Sequence, residues 1–406
     1  MKHVWILNHY AQEPRGAGAT RHFSLARHLR KYGWEATIVA SNVEHNTGRL
    51  RSPGNERSRE EVCDGVRFVW LRGISYDGNN AARIRNWASY VREVLREETF
   101  SGLQKPDAII GSTVHPLAAW AGRRLARRHN VPFVFEIRDL WPETLVAMGR
   151  IRRHGLIAGA MRRLETALCR SAARIVVLMP RASEYLEGRG IPAGKIVWIP
   201  NGAGADTAPP PPRKRDEFQF MYFGAHGRAN DLETLIRAMK YIRDAPEGRD
   251  IRLRMIGSGP MKSELIELAG RIGADNTMFE EPVARAFMPS VAAEADAFVI
   301  CVGDHPELYR HGISMNKLYE YMAARRPTVI AAEVPDNPIS EANAGICVPP
   351  EDPEALAKGM IRLAHMPYEQ RLEMGRAARA RVMENYSYDV LARRLADTLD
   401  AAVKER

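Results

Sequence analysis

Four stretches of this chain gather residues that could bind a phosphate or move a proton. The first is Asn8–Thr20, in which Gly16 and Gly18 sit where the chain should leave a strand and enter a helix. Glycines at such a turn let backbone N–H groups approach an anion, and the helix start adds the positive end of its dipole. The second is Phe135–Glu143, which sets Glu136, Arg138, Asp139 and Glu143 around Trp141-Pro142 at the end of an apolar run. Carboxylates there, Asp139 and Glu136, could orient an acceptor or polarise its hydroxyl, and His115, after another apolar run, is a further candidate. The third is Gly224–Asn230, again a glycine loop between strand and helix, with Arg228 as a phosphate ligand. The fourth is Tyr309–Ala323, where Ser314 could cap a helix that carries Lys317 and Glu320. Those two are three apart and share a helix face. The spacing fits a surface ion pair, or a cation for a diphosphate beside a carboxylate for hydroxyls.

Such loops need a scaffold that ends several strands at one place. In the first half, apolar runs at 3–8, 35–41, 66–72, 106–112, 131–139, 174–180 and 195–202 read as strands, with helices near 20–31, 116–129 and 154–171. Strands alternating with helices predict βαβ units and a parallel sheet. At 203–216 the pattern stops; Pro209 to Pro212 disfavour both helix and sheet interior, so this stretch reads as a linker. It then restarts, with strands at 218–224, 251–259, 277–283, 297–302 and 327–332. The helices of this half are predicted at 231–243, 260–272, 353–365, 368–384 and 387–403. The fold class predicted is α/β, with two doubly wound Rossmann-like domains that bind ligands beyond the carboxyl ends of their strands.

Composition narrows the function classes. The chain has 406 residues, 45% of them hydrophobic, and a net charge of +10. The charge is uneven: residues 1–200 hold 32 Lys/Arg against 18 Asp/Glu, and the remainder 27 against 31. No apolar stretch approaches the roughly 20 residues that span a bilayer, and the run Val4–Leu7 is too short for a secretory signal. Cys63, Cys169, Cys301 and Cys347 form no CxxC pair and read as free thiols in a reducing, cytoplasmic setting. The basic residues are scattered over helices without a nucleic-acid module. Two segments, 145–174 and 83–100, mix apolar side chains with arginines, among them Arg152, Arg153, Arg162 and Arg163. They predict contact with an anionic membrane surface.

Several motifs together resemble one family. They are the Gly16/Gly18 loop, Pro200-Asn201-Gly202, Gly257-Ser258-Gly259-Pro260, and the Asn316–Ala323 helix followed by Arg326-Pro327-Thr328-Val329-Ile330. Over nearly its whole length the chain resembles the family 4 retaining glycosyltransferases of GT-B fold. Glu136-Ile137-Arg138-Asp139-Leu140-Trp141-Pro142-Glu143 is similar to a branch that adds N-acetylfucosamine and related sugars in O-antigen, capsule and exopolysaccharide synthesis.

The resemblance implies two domains facing across a cleft. Residues 1–202 would bind the acceptor, 203–216 would be the linker, 217–385 would bind the nucleotide-sugar, and 386–406 would cross back as a terminal helix. It implies a donor, expected to be UDP-linked, held by Gly16, Gly18, Arg228, Gly257, Gly259, Val283, Ser314, Asn316, Lys317 and Glu320, the last matching the family's ribose-binding carboxylate. The family's other carboxylate falls on Gly312, and its phosphate-binding Arg and Lys fall on Ala225 and Asn230, which leaves Arg228 and Lys317 as substitutes.

The implied reaction is sugar transfer with retention, to a glycan or polyprenyl-diphosphate-linked acceptor at the cytoplasmic face of the inner membrane. Neither a metal nor another cofactor is expected. Two other readings stay open on the sequence: a UDP-sugar epimerase of the same fold, and a non-catalytic nucleotide-sugar-binding protein.

Overall fold

Runs of Val, Ile, Leu and Phe too short for helices become strands whose side chains are buried on both faces. The computed structural model describes residues 1–15, 20–45, 47–51, 56–78, 81–204, 210, 212 and 216–405. Gly16 and Gly18, and most of the proline-rich linker stretch, lie outside the described residues. The chain divides into two compact units. The first runs to Pro200 and is rejoined by the chain from Tyr388 onward; the second spans Asn201–Ser387.

The first unit is built in the order β1 (Lys2–Leu7), α1 (Arg21–Leu29), β2 (Trp34–Ser41), β3 (Ser58–Cys63), β4 (Val66–Leu71), α2 (Ala81–Val94), β5 (Ala108–Ser112) and α3 (Pro116–His129). There follow β6 (Phe133–Ile137), α4 (Glu143–Ala147), α5 (Leu156–Ser171), β7 (Arg174–Val177), α6 (Ala182–Glu187) and β8 (Ile196–Trp198). The sheet order is β3-β4-β2-β1-β5-β6-β7-β8, and every pairing is parallel except β3 with β4.

β3 was not foreseen. It leads into β4 through Asp64 (φ 44°) and Gly65 (φ 80°), a left-handed pair suited to a two-residue hairpin. Its sequence, SREEVC, lacks the apolar run that marks the others because it lies at the sheet edge. Its charges also guard that edge against pairing with another chain.

In the second unit come β9 (Phe218–Phe223), α7 (Leu232–Asp244), β10 (Ile251–Ile256), α8 (Lys262–Ile272), β11 (Thr277–Glu280), α9 (Met288–Ala292), β12 (Ala297–Cys301), α10 (Pro306–Tyr309) and α11 (Asn316–Ala323). They are followed by β13 (Thr328–Ala331), α12 (Pro338–Glu341), β14 (Gly345–Val348), α13 (Pro353–Ala364) and α14 (Tyr368–Asn385). The sheet is wholly parallel, in the order β11-β10-β9-β12-β13-β14. β14, four residues whose side chains are only partly covered, also escaped the sequence pattern.

The last helix, α15 (Tyr388–Lys404), belongs to the first unit. Its Tyr388, Leu391, Leu395 and Leu399 join Val4, Ile6 and Phe23 in a core that covers one face of the sheet. The opposite face is covered by α2, α3 and α5 through Tyr90, Val94, Leu125 and Leu168.

Both sheets are doubly wound, as the alternation of strands and helices predicts. The strand order reverses between β1 and β5 in one and between β9 and β12 in the other. Crevices at such reversals, beyond the carboxyl ends of the strands, are where these folds bind ligands. Among the described residues no helix is long and apolar enough to cross a membrane.

Candidate functional site

In the second unit the reversal is lined by the loop that leaves β9. Gly224 (φ 154°) opens it, and Gly257 (φ 151°) and Gly259 (φ 155°) open the neighbouring loop after β10. A methyl group at Gly257 would lie 2.0 Å from the Gly224 carbonyl oxygen, and one at Gly259 2.4 Å from that of His226. Only glycine lets these two loops nest. His226 is held between them: its N–H donates to Ser258 O (2.8 Å) and its O accepts from Met261 N (3.0 Å). Among the described residues its buried ring has no hydrogen-bond partner on either nitrogen, and burial lowers its pKa to about 4, so it is neutral.

Lys317, from the first turn of α11, reaches under the β9 loop. Its Nζ donates to Tyr222 Oη (2.8 Å) and to Asn230 Oδ1 (2.6 Å). Tyr222 Oη and Asn230 Nδ2 in turn each donate to Ala225 O, both at 2.8 Å. An ammonium has three donors, so one remains for a ligand. The side chain is only partly covered from solvent, yet desolvation by the surrounding protein lowers its pKa to about 7.

Asn230, which on sequence looked like the loss of a charge, is therefore where the chain brings another one. Lys317 is not paired with Glu320, as their spacing would allow. Glu320 instead accepts from Arg285 Nη2 (2.5 Å), which draws the loop around half-buried Val283 towards α11.

Ser314 does not cap α11, and this corrects the sequence reading. Met315 occupies the cap position without a side-chain bond. The Ser314 hydroxyl instead accepts from Asn201 N–H (2.9 Å), and the Ser314 carbonyl accepts from Asn201 Nδ2 (2.5 Å). The Pro200-Asn201-Gly202 turn thus takes the hydroxyl that the helix would have used. The amino end of α11 keeps its uncapped N–H groups beside Asn316 and Lys317. Arg228 stands exposed in a short turn at the tip of the β9 loop.

In the first unit the three candidate acid–base residues separate. Glu136, at the end of β6, is buried. Oε1 accepts from Arg21 Nε (3.0 Å); Oε2 accepts from His22 Nε2 (2.6 Å) and Ser112 Oγ (2.6 Å). Burial alone would raise its pKa, but His22 and Arg21 outweigh that and hold the carboxyl well below the ordinary range. Arg21 also donates to the carbonyls of Ile199 and Pro200. With both oxygens occupied, Glu136 as placed clamps α1, β5 and the Pro200 turn rather than facing a substrate.

His115 is likewise fully buried. It caps α3, its Nδ1 accepting from Ala118 N (3.3 Å), and so its Nε2–H donates to His9 Nδ1 (2.8 Å). Trp87 stacks on it at 4.5 Å, and burial lowers its pKa to about 3. It too shapes the loop rather than exchanging protons with a ligand.

Asp139 differs from both. It is exposed to solvent in the loop after β6, which is anchored by Arg138 N donating to Thr113 Oγ1 (2.9 Å). The protein around it still raises its carboxyl, with Arg138 acting the other way.

Arg21, His22, His9 and Tyr222 were not singled out from the sequence. The one available signal was the pair Arg21-His22 on the first turn of α1, where two basic residues face inward. Among the described residues no three His, Cys, Asp or Glu side chains gather as a metal would need.

Comparison with known proteins places the sequence among glycosyl transferases. Residues 16–202 match the glycosyl transferase 4-like domain, and residues 217–366 match the glycosyl transferases group 1. The probable glycosyltransferase WbjE of Pseudomonas aeruginosa is 22% identical over 306 residues, 71% of this chain and 72% of that protein. The putative colanic acid biosynthesis glycosyl transferase WcaI of Escherichia coli K12 is 25% identical over 69% of this chain and 72% of that protein.

Among solved structures, sucrose-phosphate synthase from Thermosynechococcus elongatus superposes with a TM-score of 0.73 at 17% identity, over 98% of both chains. Anabaena Alr3699/HepE, solved in complex with UDP-glucose, gives 0.69 at 15% identity, over 98% of this chain and 100% of that one. With both halves matched and the GT-B fold shared from end to end, the chain belongs to the family 4 glycosyltransferases.

Proposed function

We propose that this glycosyltransferase moves a sugar from a UDP-linked donor to a glycan or polyprenyl-diphosphate-linked acceptor in surface polysaccharide synthesis. Retention at the anomeric carbon and independence of divalent metal are part of the proposal. The observation that carries it is the Lys317 ammonium, fixed by Tyr222 and Asn230 at the amino end of α11 with one donor to spare.

When the glycosidic bond to the diphosphate breaks, negative charge builds on the leaving phosphate. A preorganised cation and uncapped N–H groups stabilise that charge most where water is excluded. Exposed Arg228 would reach the phosphates from the other side of the loop, and Glu320, steered by Arg285, would accept hydrogen bonds from the ribose diol. Gly257 and Gly259 would bring backbone close to the nucleotide, with Val283 and Asn316 at its border. Among the three acid–base candidates of the first unit, solvent-exposed Asp139 is the one suited to orient the acceptor hydroxyl.

The UDP-glucose carried by HepE and the colanic acid assignment of WcaI favour a UDP-sugar donor and a surface polysaccharide product. The N-acetylfucosamine branch is a narrower expectation, resting on the Glu136–Glu143 motif alone.

A thermal-shift screen of UDP-, GDP-, TDP- and ADP-sugars tests the donor, because a ligand that binds the folded state raises its apparent stability. UDP-sugars should give the largest shift, unchanged in excess EDTA. A larger shift with another base, or one that requires added Mg²⁺ or Mn²⁺, would overturn the donor or the metal part of the reading.

A further inference from the structure

Four aliphatic side chains stand in water at one end of the first unit. α2, α3 and α5 lie side by side over the same face of the sheet. Each crosses between parallel strands, so each runs opposite to them and begins at their carboxyl end. On the first turns of these helices Ile84 is 60% exposed, Leu117 38%, Leu156 94% and Ile157 65%. An amphipathic helix normally turns such residues into its own core. These three do so with their later turns, through Tyr90, Leu125 and Leu168, and leave their beginnings uncovered.

The charge on the segments that carry these tips has one sign. Residues 78–92, 108–135 and 144–164 contain no Asp or Glu. Exposed Arg85, Arg152, Arg153 and Arg163 stand near the aliphatic tips in the chain. Glu143, at the border of the third segment, is taken up by Arg162 (2.8 and 2.9 Å) and by Arg189 (2.8 Å). Arg162, one of the arginines the sequence assigned to membrane contact, is therefore structural. So is much of the apolar content of 145–174, since Leu168 is buried and Leu164 packs against the core.

We propose that this end of the α2–α3–α5 layer docks on an anionic lipid surface, with Leu156 and Ile157 entering the acyl boundary and the arginines meeting headgroup phosphates. Aliphatic tips alone would fit an apolar protein partner equally well. The segments that carry these tips hold no acidic side chain, and exposed Asp77 and Asp139 lie outside them; that balance favours a uniformly negative surface, which a bilayer containing anionic lipid presents and a folded protein seldom does. The inference does not depend on the donor proposed above, and its test reads membrane partition rather than transfer.

The experiment is co-sedimentation of the whole protein with phosphatidylcholine vesicles, with and without phosphatidylglycerol. Binding should require phosphatidylglycerol and weaken as salt rises. The double variant Leu156→Ser/Ile157→Ser should bind such vesicles about tenfold more weakly, from the lost apolar burial. Arg152→Gln/Arg153→Gln/Arg163→Gln should lose at least as much, at roughly a few-fold per charge. Both should keep the thermal stability and UDP-glucose affinity of the parent. Equal binding to both vesicle types, binding to neither, or unchanged binding by both variants would overturn the proposal. So would a concentration-dependent dimer that only the Leu156/Ile157 variant loses, since the surface would then serve a second copy of the chain.

Discussion

Replacing Lys317 with Met should lower turnover by about 10²-fold or more while leaving the protein folded, the scale seen when one preorganised donor to a developing charge is removed. Ground-state binding should suffer less, since a charge-assisted phosphate bond contributes roughly 1.5–3 kcal/mol. The expectation rests on three contacts. Tyr222 and Asn230 hold the ammonium by two of its three donors, and Ala225 O accepts from both of those partners, so the group is positioned before any ligand arrives. Methionine keeps the length and apolar stem of lysine and removes only the charge and donors. Steady-state kinetics with a UDP-sugar would check it. Turnover within a few-fold of the parent would mean that Lys317 merely ties the loop to α11.

Glu136→Ala should produce the largest loss of stability of any single change considered. It leaves the buried Arg21 guanidinium without its carboxylate, together with the His22 and Ser112 donors. Breaking a buried pair from one side costs about 3–5 kcal/mol. Glu136→Gln, which keeps the shape and one acceptor oxygen, should cost less.

The pH dependence has a definite sign. The folded carboxyl lies well below its ordinary value of 4.5, so its stabilising contribution is complete above 4.5 and declines as acid takes pH down through the folded value. The parent should thus lose stability on acidification below 4.5 more steeply than Glu136→Gln. Urea melts at several pH values measure this. A Glu136→Gln protein of parental stability but with turnover reduced beyond 10³-fold would instead identify Glu136 as a group that touches the reacting atoms.

The two carboxylates of the Glu136–Glu143 motif show how far a sequence reading carries. Glu136 and Asp139 are three apart at the end of one strand, and their types alone give both the same chemistry. Strand periodicity separates them only once β6 is known to end at Ile137 and Arg21 and His22 are known to meet its last inward side chain. Those partners are more than 110 residues away in sequence, and no local pattern announces them.

The same holds for Lys317. Spacing suggested Glu320 as its partner, whereas packing gave it Tyr222 and Asn230 and gave Glu320 to Arg285. By contrast, the α/β class and the glycine loops after β9 and β10 were legible. Apolar runs and φ-demanding glycines are local properties, and the nesting at Gly257 and Gly259 uses them directly. Edge strand β3 was missed because a strand with one open side needs no apolar run, and β14 because its four residues make too short a run to stand out.

The most direct test of the diphosphate site is calorimetric titration of UDP-glucose at pH 6 and pH 8, in buffers of different ionisation enthalpy. The diphosphate of a UDP-sugar is a diester with no proton to lose in this range, so any titrating group belongs to the protein. With the Lys317 pKa at about 7 in the unliganded enzyme, the ammonium is mostly charged at pH 6 and mostly neutral at pH 8. A bound diphosphate favours the charged form and raises that pKa. Binding at pH 8 must then take up a proton, and affinity should fall about tenfold from pH 6 to pH 8 by linkage. Uptake approaching one proton per donor at pH 8, absent in Lys317→Met, is the expected result. Affinity independent of pH with no proton uptake, or the same pH dependence in Lys317→Met, would contradict the placement of Lys317 on the donor diphosphate.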